Sequence, residues 1–338
     1  MDKIKFAIAG PGGVARLHAR AISEIEDVEL SMVYGHRKES VEKFGKEFHI
    51  PYTTNYQDII KSDIDVVDIC TPHNIRLELI SPALFEGKDI LCEKPLSITP
   101  KEGKKIIELV KKTNRKFQIV FQSRFLPDIQ KIKQFIDSGG LGKLILITSY
   151  VKWYRPSEYY VRWHGKWDTE GGGVLINQAI HDLDLMIYLG GDIKEVAAFT
   201  DHLLHNIEVE DTAVGILRYK KGHLGNIIAT TSVYPGYPKS LEIHGENGSI
   251  FIEEGKLKRL DLKEPVLGAP ISEKGNIKSG SSNPLDIDIS GHKAAILDLI
   301  KAIKEDKEPM VPPQEGIRSV ILVNALYTAQ KEGKIIKI

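Results

Sequence analysis

The stretch Ile4–Ala15, IKFAIAGPGGVA, runs an apolar segment directly into a glycine-rich turn. The apolar part reads as a buried strand, and Gly10-Pro11-Gly12-Gly13-Val14-Ala15 follows the spacing G-x-G-x-x-A. In that spacing the first glycine permits the tight turn, and the second lets backbone amides approach a pyrophosphate. A small third residue lets the next helix pack against the strand. That helix would present its N-terminal amides to the phosphates. A glycine turn without any ligand is the plainer reading; its place after the first strand of an alternating unit favours a dinucleotide site.

Working outward, the runs VELSMVYG, DVVDIC and KDILCEKP are separated by helix-like segments, and KFQIVFQ follows the last of them. Apolar runs alternating with helices are the pattern of a parallel sheet covered on both faces, so the N-terminal part is expected to be a doubly wound α/β unit of the Rossmann type. The second strand ends in Tyr34-Gly35-His36-Arg37-Lys38. A carboxylate there would accept from the ribose hydroxyls of NAD and repel a 2′-phosphate. None is present, and Arg37 offers a planar fork to phosphate oxygens, so NADP is preferred over NAD. A solvated basic turn, with NAD bound through other contacts, is the alternative.

In LCEKPLSIT, Leu91–Thr99, a lysine stands at the end of an apolar run and directly before a proline. The proline ring disfavours helix for the residue before it, so Lys94 is expected to project from a strand end. Thr99 then reads as an N-cap, Pro100 as the first helical residue and Glu102 as the acidic partner of a capping box.

After about residue 123 the texture changes. LGKLILITSYVKWY, EVAAFTDHLL, DTAVGILRYKKGHLGNIIATTSV and SLEIHGENGSIFIEEGKLKRL are β-rich segments joined by the hairpin signals KKG, GENG and EEG. They suggest an α+β domain built on one large, open, mostly antiparallel sheet. The expected domains are therefore residues 1–123 for the dinucleotide and 124–338 for substrate and oligomer contacts. TEGGGVLINQAIHDLDLMIYLGG reads as a helix of about four turns bounded by glycines. At a helical step Asn177, His181 and Asp184 share one face, an amide, an imidazole and a carboxylate together. A buried histidine merely held by Asp184 is the structural alternative. The C-terminal HKAAILDLIKAIKEDKEP and GIRSVILVNALYTAQKEG read as two amphipathic helices that cover a core.

Composition bounds the function. The 338 residues hold 46 basic and 46 acidic side chains, 42% hydrophobic and 27% charged residues. A balanced charge recruits neither nucleic acid nor an anionic membrane. No apolar run nears a membrane span, and MDKIKFAIAG shows no signal-peptide pattern, so a cytoplasmic protein is expected. Cys70 and Cys92 lie in apolar strand-like runs and read as inert buried thiols. No metal-ligand spacing is present.

Together the Gly-rich turn, EKP near residue 94, RFLP opening the second half and the GGG…N…H..D helix resemble the Gfo/Idh/MocA oxidoreductases over essentially the whole chain. WYRPSEYY, GKWDTEGGGVLINQAIHDLDL, EVEDTAVGILRY and YPGYPKSLEIHGENGSI are most similar to the WlbA-like branch, which oxidises UDP-N-acetyl-glucosaminuronate. The resemblance implies an NAD(P)-dependent enzyme that moves a hydride between nicotinamide C4 and a secondary hydroxyl carbon of a sugar or sugar derivative. Lys94 would bind the reacting oxygen and His181 would act as general base or relay. Many members carry an aspartate where Asn177 stands; an amide cannot take a proton, so Asn177 becomes a positioning partner of His181.

The same resemblance adds Gly35, His36, Thr71, Pro72, Glu93 and Gln122 to the glycine turn and Lys94 as cofactor-binding residues. Arg124, Tyr160, Arg162 and Gln178 join Asn177 and His181 as substrate contacts, their alternatives being surface charge and interdomain packing. A histidine usual a few residues after TP appears as Arg76, whose role stays open. A homo-dimer or homo-tetramer is implied as well. Two further classes stand beside this reading: an NAD-dependent glycosidase of the same fold using transient oxidation, and a non-catalytic dinucleotide-binding sensor.

Overall fold

The computed structural model describes residues 3–271 and 289–338, which divide into two compact units. Of the described residues, the first holds 3–122 and 289–317, and the second holds 123–271 and 318–338.

In the first unit the chain runs β1 (Ile4–Ala9), α1 (Gly13–Ser23), β2 (Val28–Tyr34), α2 (Lys38–Phe48), β3 (Tyr52–Thr53), α3 (Gln57–Ile60), β4 (Val66–Ile69), α4 (Arg76–Phe85), β5 (Asp89–Glu93), α5 (Pro100–Thr113) and β6 (Phe117–Val120). The six strands pair in parallel in the order β3-β2-β1-β4-β5-β6. That order is the doubly wound Rossmann sheet expected from the alternating runs, with its reversal between β1 and β4. Every residue of β4, β5 and β6 is buried, as strands covered on both faces must be. Ile8, Ala15, Ala19, Val33, Val41, Phe44 and Cys70 form one core cluster, in which the small Ala15 lets α1 lie close to the sheet. The Thr99 hydroxyl caps α5 by accepting from the Glu102 N–H, with Pro100 in the first turn.

The second unit contains α6 (Pro127–Asp137), β7 (Leu144–Lys152), α7 (Trp167–Glu170), α8 (Val174–Asn177), α9 (Ile180–Gly190), β8 (Ile193–Asp201), β9 (Thr212–Tyr219), β10 (Leu224–Thr230), β11 (Ser240–Gly245), β12 (Gly248–Glu253) and β13 (Lys256–Leu262). Residues 220–223, 246–247 and 254–255 connect β9–β10, β11–β12 and β12–β13, so all three hairpin signals are realised. The eight-stranded sheet has the order β13-β12-β11-β7-β10-β9-β8-β14, closed by β14 (Ile336–Lys337) at one edge. It is antiparallel except for β7 and β10, which run parallel. A hairpin cannot join parallel neighbours, and the helices α7, α8 and α9 lie within the chain between these two strands.

Two features differ from the sequence expectation. α10 (Ser290–Glu305) groups with the first unit, although the boundary near residue 123 had placed it with the second. Its buried side is His292, Ala295, Ile296 and Leu299, and Lys293 and Lys304 reach Glu24 and Asp27 at the end of α1 and the loop beyond it. α11 (Pro313–Glu332) begins in the first unit and ends in the second. The long helix expected through TEGGGVLINQAIHDLDL is also broken, since α8 stops at Asn177 and α9 starts at Ile180. At the break the Ala179 N–H returns to Val174 O, one residue beyond the usual helical reach.

Candidate active site

In the first unit Gly10 has a φ of +104°, and a Cβ there would lie 2.8 Å from the Cys70 carbonyl oxygen. Only glycine fits this turn. Gly12 is the N-cap of α1, has an ordinary φ of −83°, and faces open space with nothing within 4 Å of a Cβ. Its lack of a side chain answers no need of the fold and leaves room beside the first amides of α1. Gly13, Val14 and Ala15 form the first turn of that helix, behind Pro11. Gly35 is buried, while His36 and Arg37 are exposed beyond β2, with Arg37 at the N-cap of α2. The Tyr34 hydroxyl lies 3.4 Å from His36 Nδ1. Thr71 and Pro72 follow β4, and Gln122 follows β6. Thr71 Oγ1 and Gln122 Oε1 are buried with no hydrogen-bond partner. A cradle open at Gly12 and two orphaned polar atoms at strand ends fit a dinucleotide.

Lys94 is half-buried and follows the last residue of β5, as its place before Pro95 implied. Arg76, left without a role by the sequence, is buried and donates to backbone on both sides of it. Its Nε and Nη2 reach the Thr71 carbonyl at 3.3 and 3.1 Å, and its Nη1 donates to the carbonyls of Glu93 and Pro95. The guanidinium therefore fixes the path of the chain through Lys94.

Glu93, expected beside the cofactor, turns its side chain into the protein. Oε2 accepts the Lys94 N–H at 3.2 Å, and Oε1 lies 3.0 Å from His18 Nε2 and 3.9 Å from His292 Nε2. His18 Nδ1 in turn lies 2.8 Å from Asp68 Oδ2. Burial works against the charge of Glu93, yet His18, His292 and Lys94 outweigh it and hold the carboxyl at about 2. Burial likewise opposes the charge on His18, and Asp68 overrides it and raises the imidazole well above its ordinary value. Burial pushes the thiols of Cys70 and Cys92 up to about 12, which suits inert cysteines.

In the second unit Asn177, Gln178 and His181 are all buried. Asp184, placed with them on one face, pairs with Arg124. Arg124 Nε and Nη2 each donate at 2.7 Å to the two carboxylate oxygens of Asp184, and both side chains are almost fully enclosed. This fork-to-fork pair engages the guanidinium that the sequence offered as a substrate contact. Asn177 Nδ2 donates to Glu170 Oε1 and, at 3.1 Å, to the Tyr159 hydroxyl; Gln178 Nε2 donates to the same hydroxyl at 3.0 Å. Glu210 holds the entry to α8 by accepting from the Gly173 and Leu175 N–H groups, each at 2.9 Å, and from the Tyr327 hydroxyl. Burial pushes its carboxyl up to about 7 against these donors. A Cβ on Gly173 would lie 1.8 Å from the Glu210 carbonyl oxygen, which explains a glycine at that place.

Tyr160, expected on substrate, has its hydroxyl 2.7 Å from Thr231 Oγ1 and packs on His205. Arg162 is exposed and forms no ion pair among the described residues. Sequence reasoning missed His18, Asp68, His164, Glu170 and Glu210. Their partners lie on other elements, and only DTEGGG, next to the predicted helix, carried a signal for Glu170.

Comparison with known proteins agrees with this architecture. The model of the oxidoreductase family with an NAD-binding Rossmann fold matches residues 4–121, and that of the GFO/IDH/MocA C-terminal domain matches residues 129–251. The uncharacterized oxidoreductase YrbE of Bacillus subtilis (strain 168) is 30% identical over 256 residues, 73% of each chain. Myo-inositol 2-dehydrogenase of Thermotoga maritima is 25% identical over 99% of this chain and 98% of its own. Among solved structures, the WlbA dehydrogenase from Bordetella pertussis in complex with NADH and UDP-GlcNAcA superposes with a TM-score of 0.89 at 27% identity, covering 99% of both chains. With its NAD-binding Rossmann unit and matching second domain, the chain belongs to the Gfo/Idh/MocA oxidoreductase family.

Proposed function

We propose that this oxidoreductase is a nicotinamide-dependent dehydrogenase of a secondary hydroxyl on a sugar or sugar derivative, with a nucleotide-linked uronic acid as the substrate class to test first. The observation that carries the reading is Lys94, half-buried at the end of β5 with its flanking carbonyls held by Arg76. Gly10 to Ala15, Thr71 and Gln122 would hold the dinucleotide, which when bound supplies the hydride acceptor. Lys94 binds the reacting oxygen and lowers the cost of its deprotonation, His181 takes or relays the proton, and Asn177 positions the substrate. The uronic acid is supported by the WlbA complex with UDP-GlcNAcA.

His36 and Arg37 support NADP over NAD, whereas the WlbA complex contains NADH. The cytoplasmic location and an assembly of two or four copies belong to the same proposal. Supporting the assembly, Phe199, Val214 and Ile216 expose a row of apolar side chains across the paired strands β8 and β9.

The test is turnover of Lys94→Ala beside wild type, with NADH and NADPH titrated against both by nicotinamide fluorescence. Loss of roughly a thousandfold in kcat, about 4 kcal/mol of barrier, with dinucleotide affinity preserved is the expected result. Equal turnover in the variant sinks the reading, and tighter binding of NADH than NADPH sinks the cofactor preference. Release of a glycoside leaving group without net NADH would identify the glycosidase instead.

A further inference from the structure

One titratable pair in the second unit has no part in the chemistry assigned so far. His164 Nδ1 lies 3.1 Å from Glu170 Oε1, with side-chain exposures of 17% and 1%. The ring stacks on Tyr159, centroids 4.1 Å apart and planes 15° from parallel, and packs against Trp163 at 3.9 Å. Glu170 also accepts from the Gly165 N–H and from Asn177 Nδ2. Carboxylate and aromatic rings thus fix the imidazole in one orientation. Its Nδ1 is engaged, and Nε2, which makes no hydrogen bond among the described residues, is the edge left to meet a ligand.

The position of the pair ties it to substrate. Asn177, assigned above to substrate positioning, shares the Glu170 oxygen with His164 and lies 3.3 Å from its Nδ1. The segment 161–166 carries Arg162, His164 and Lys166 and no acidic residue, while the flanking Glu158 and Asp168 are exposed on either side. Arg162 and Lys166 are exposed and form no ion pairs among the described residues. His164 is the basic group of this segment with a built seat. An imidazole held at Nδ1 by a carboxylate turns its Nε2 edge to the ligand, and an Nε2–H donated to an anionic oxygen makes a charge-assisted hydrogen bond stronger than one to a neutral hydroxyl.

We propose that His164, fixed by Glu170, is a substrate-binding residue that recognises a carboxylate substituent of the sugar. The inference rests on the dehydrogenase reading and narrows its substrate to acidic sugars. The side chain acts through affinity and selectivity; the hydride and proton steps stay with the residues named above.

The test compares ligands that differ in one group. Binding of UDP-N-acetylglucosaminuronate and of UDP-N-acetylglucosamine is measured on the protein saturated with reduced dinucleotide, and the free pair glucuronate and glucose is measured alongside. The proteins are wild type, His164→Gln, His164→Arg and Glu170→Gln. Wild type is expected to bind at least one acid roughly tenfold or more tightly than its neutral partner. His164→Gln should abolish that ratio while the neutral ligand and the dinucleotide bind as before, and His164→Arg should restore it. Glu170→Gln should weaken the acid more than the neutral ligand.

Absence of acid preference in the wild type overturns the proposal, as does a preference that survives His164→Gln. Equal loss of both ligands in His164→Gln overturns it too, because it reveals a structural role. None of these outcomes touches the dehydrogenase reading, which stands or falls on Lys94-dependent reduction of dinucleotide by any sugar.

Discussion

The guanidinium of Arg76 donates to the main-chain carbonyl of Glu93, and the same side chain continues to the carbonyls of Pro95 and Thr71. One buried cation thereby ties the end of β4 to both sides of the lysine assigned to the reacting oxygen. The planar fork suits this work, because it sends several N–H groups in fixed directions, whereas an ammonium on a flexible stem cannot reach three carbonyls at once. Arg76→Lys is therefore expected to lower stability by about 2 to 4 kcal/mol in urea unfolding, as buried carbonyls lose charged donors. Turnover of the folded variant should fall at least tenfold as the Lys94 segment loosens. A variant with wild-type stability and turnover would show that the clamp has no consequence.

The two glycines of the first turn are expected to respond differently to alanine. Gly10→Ala places a Cβ against the Cys70 carbonyl in a left-handed backbone, so both thermal stability and dinucleotide affinity should drop, the former by about 2 kcal/mol or more. Gly12→Ala meets nothing within 4 Å and should leave the melting temperature nearly unchanged while dinucleotide affinity falls at least tenfold. Thermal unfolding and nicotinamide fluorescence on the two variants separate these outcomes. Unchanged affinity in Gly12→Ala would remove the pyrophosphate from this turn.

The buried ionic cluster beneath Lys94 sets a pH window for stability. Glu93 is held at about 2 against an ordinary 4.5, a difference worth on the order of 3 kcal/mol. Its contribution is complete above pH 4.5 and is lost as pH falls toward 2. His18 is raised above its ordinary 6.5, so its contribution is complete below that pH and is lost as pH rises through the elevated value. The melting temperature should therefore be highest between roughly pH 4.5 and 6.5 as far as this cluster decides it. In Glu93→Gln the deficit relative to wild type should be largest in that window and shrink toward pH 2. A deficit that does not vary with pH would mean that packing, and not charge, is what Glu93 supplies.

Local patterns in the sequence determined the architecture. The Gly10–Ala15 turn, the period-two and continuous apolar runs, the Thr99 cap and the three hairpin signals each depend on neighbours a few residues away, and each is present in the fold. The strand end at Lys94 follows in the same way from the proline beside it. Long-range pairing decided the rest. Nothing in the spacing of Arg124 and Asp184, 60 positions apart, says that they form a buried fork, nor that His18 and Glu93, 75 apart, share a proton-bearing contact. The helical step puts Asn177, His181 and Asp184 on one face of an unbroken helix. It cannot know that the helix breaks after Asn177 and sends the amide to Glu170. A buried polar side chain must find its partner wherever the packed chain brings one within about 3 Å. Periodicity therefore indicates the face a residue takes within an unbroken element, and only the tertiary structure decides where the element breaks and what meets the residue there.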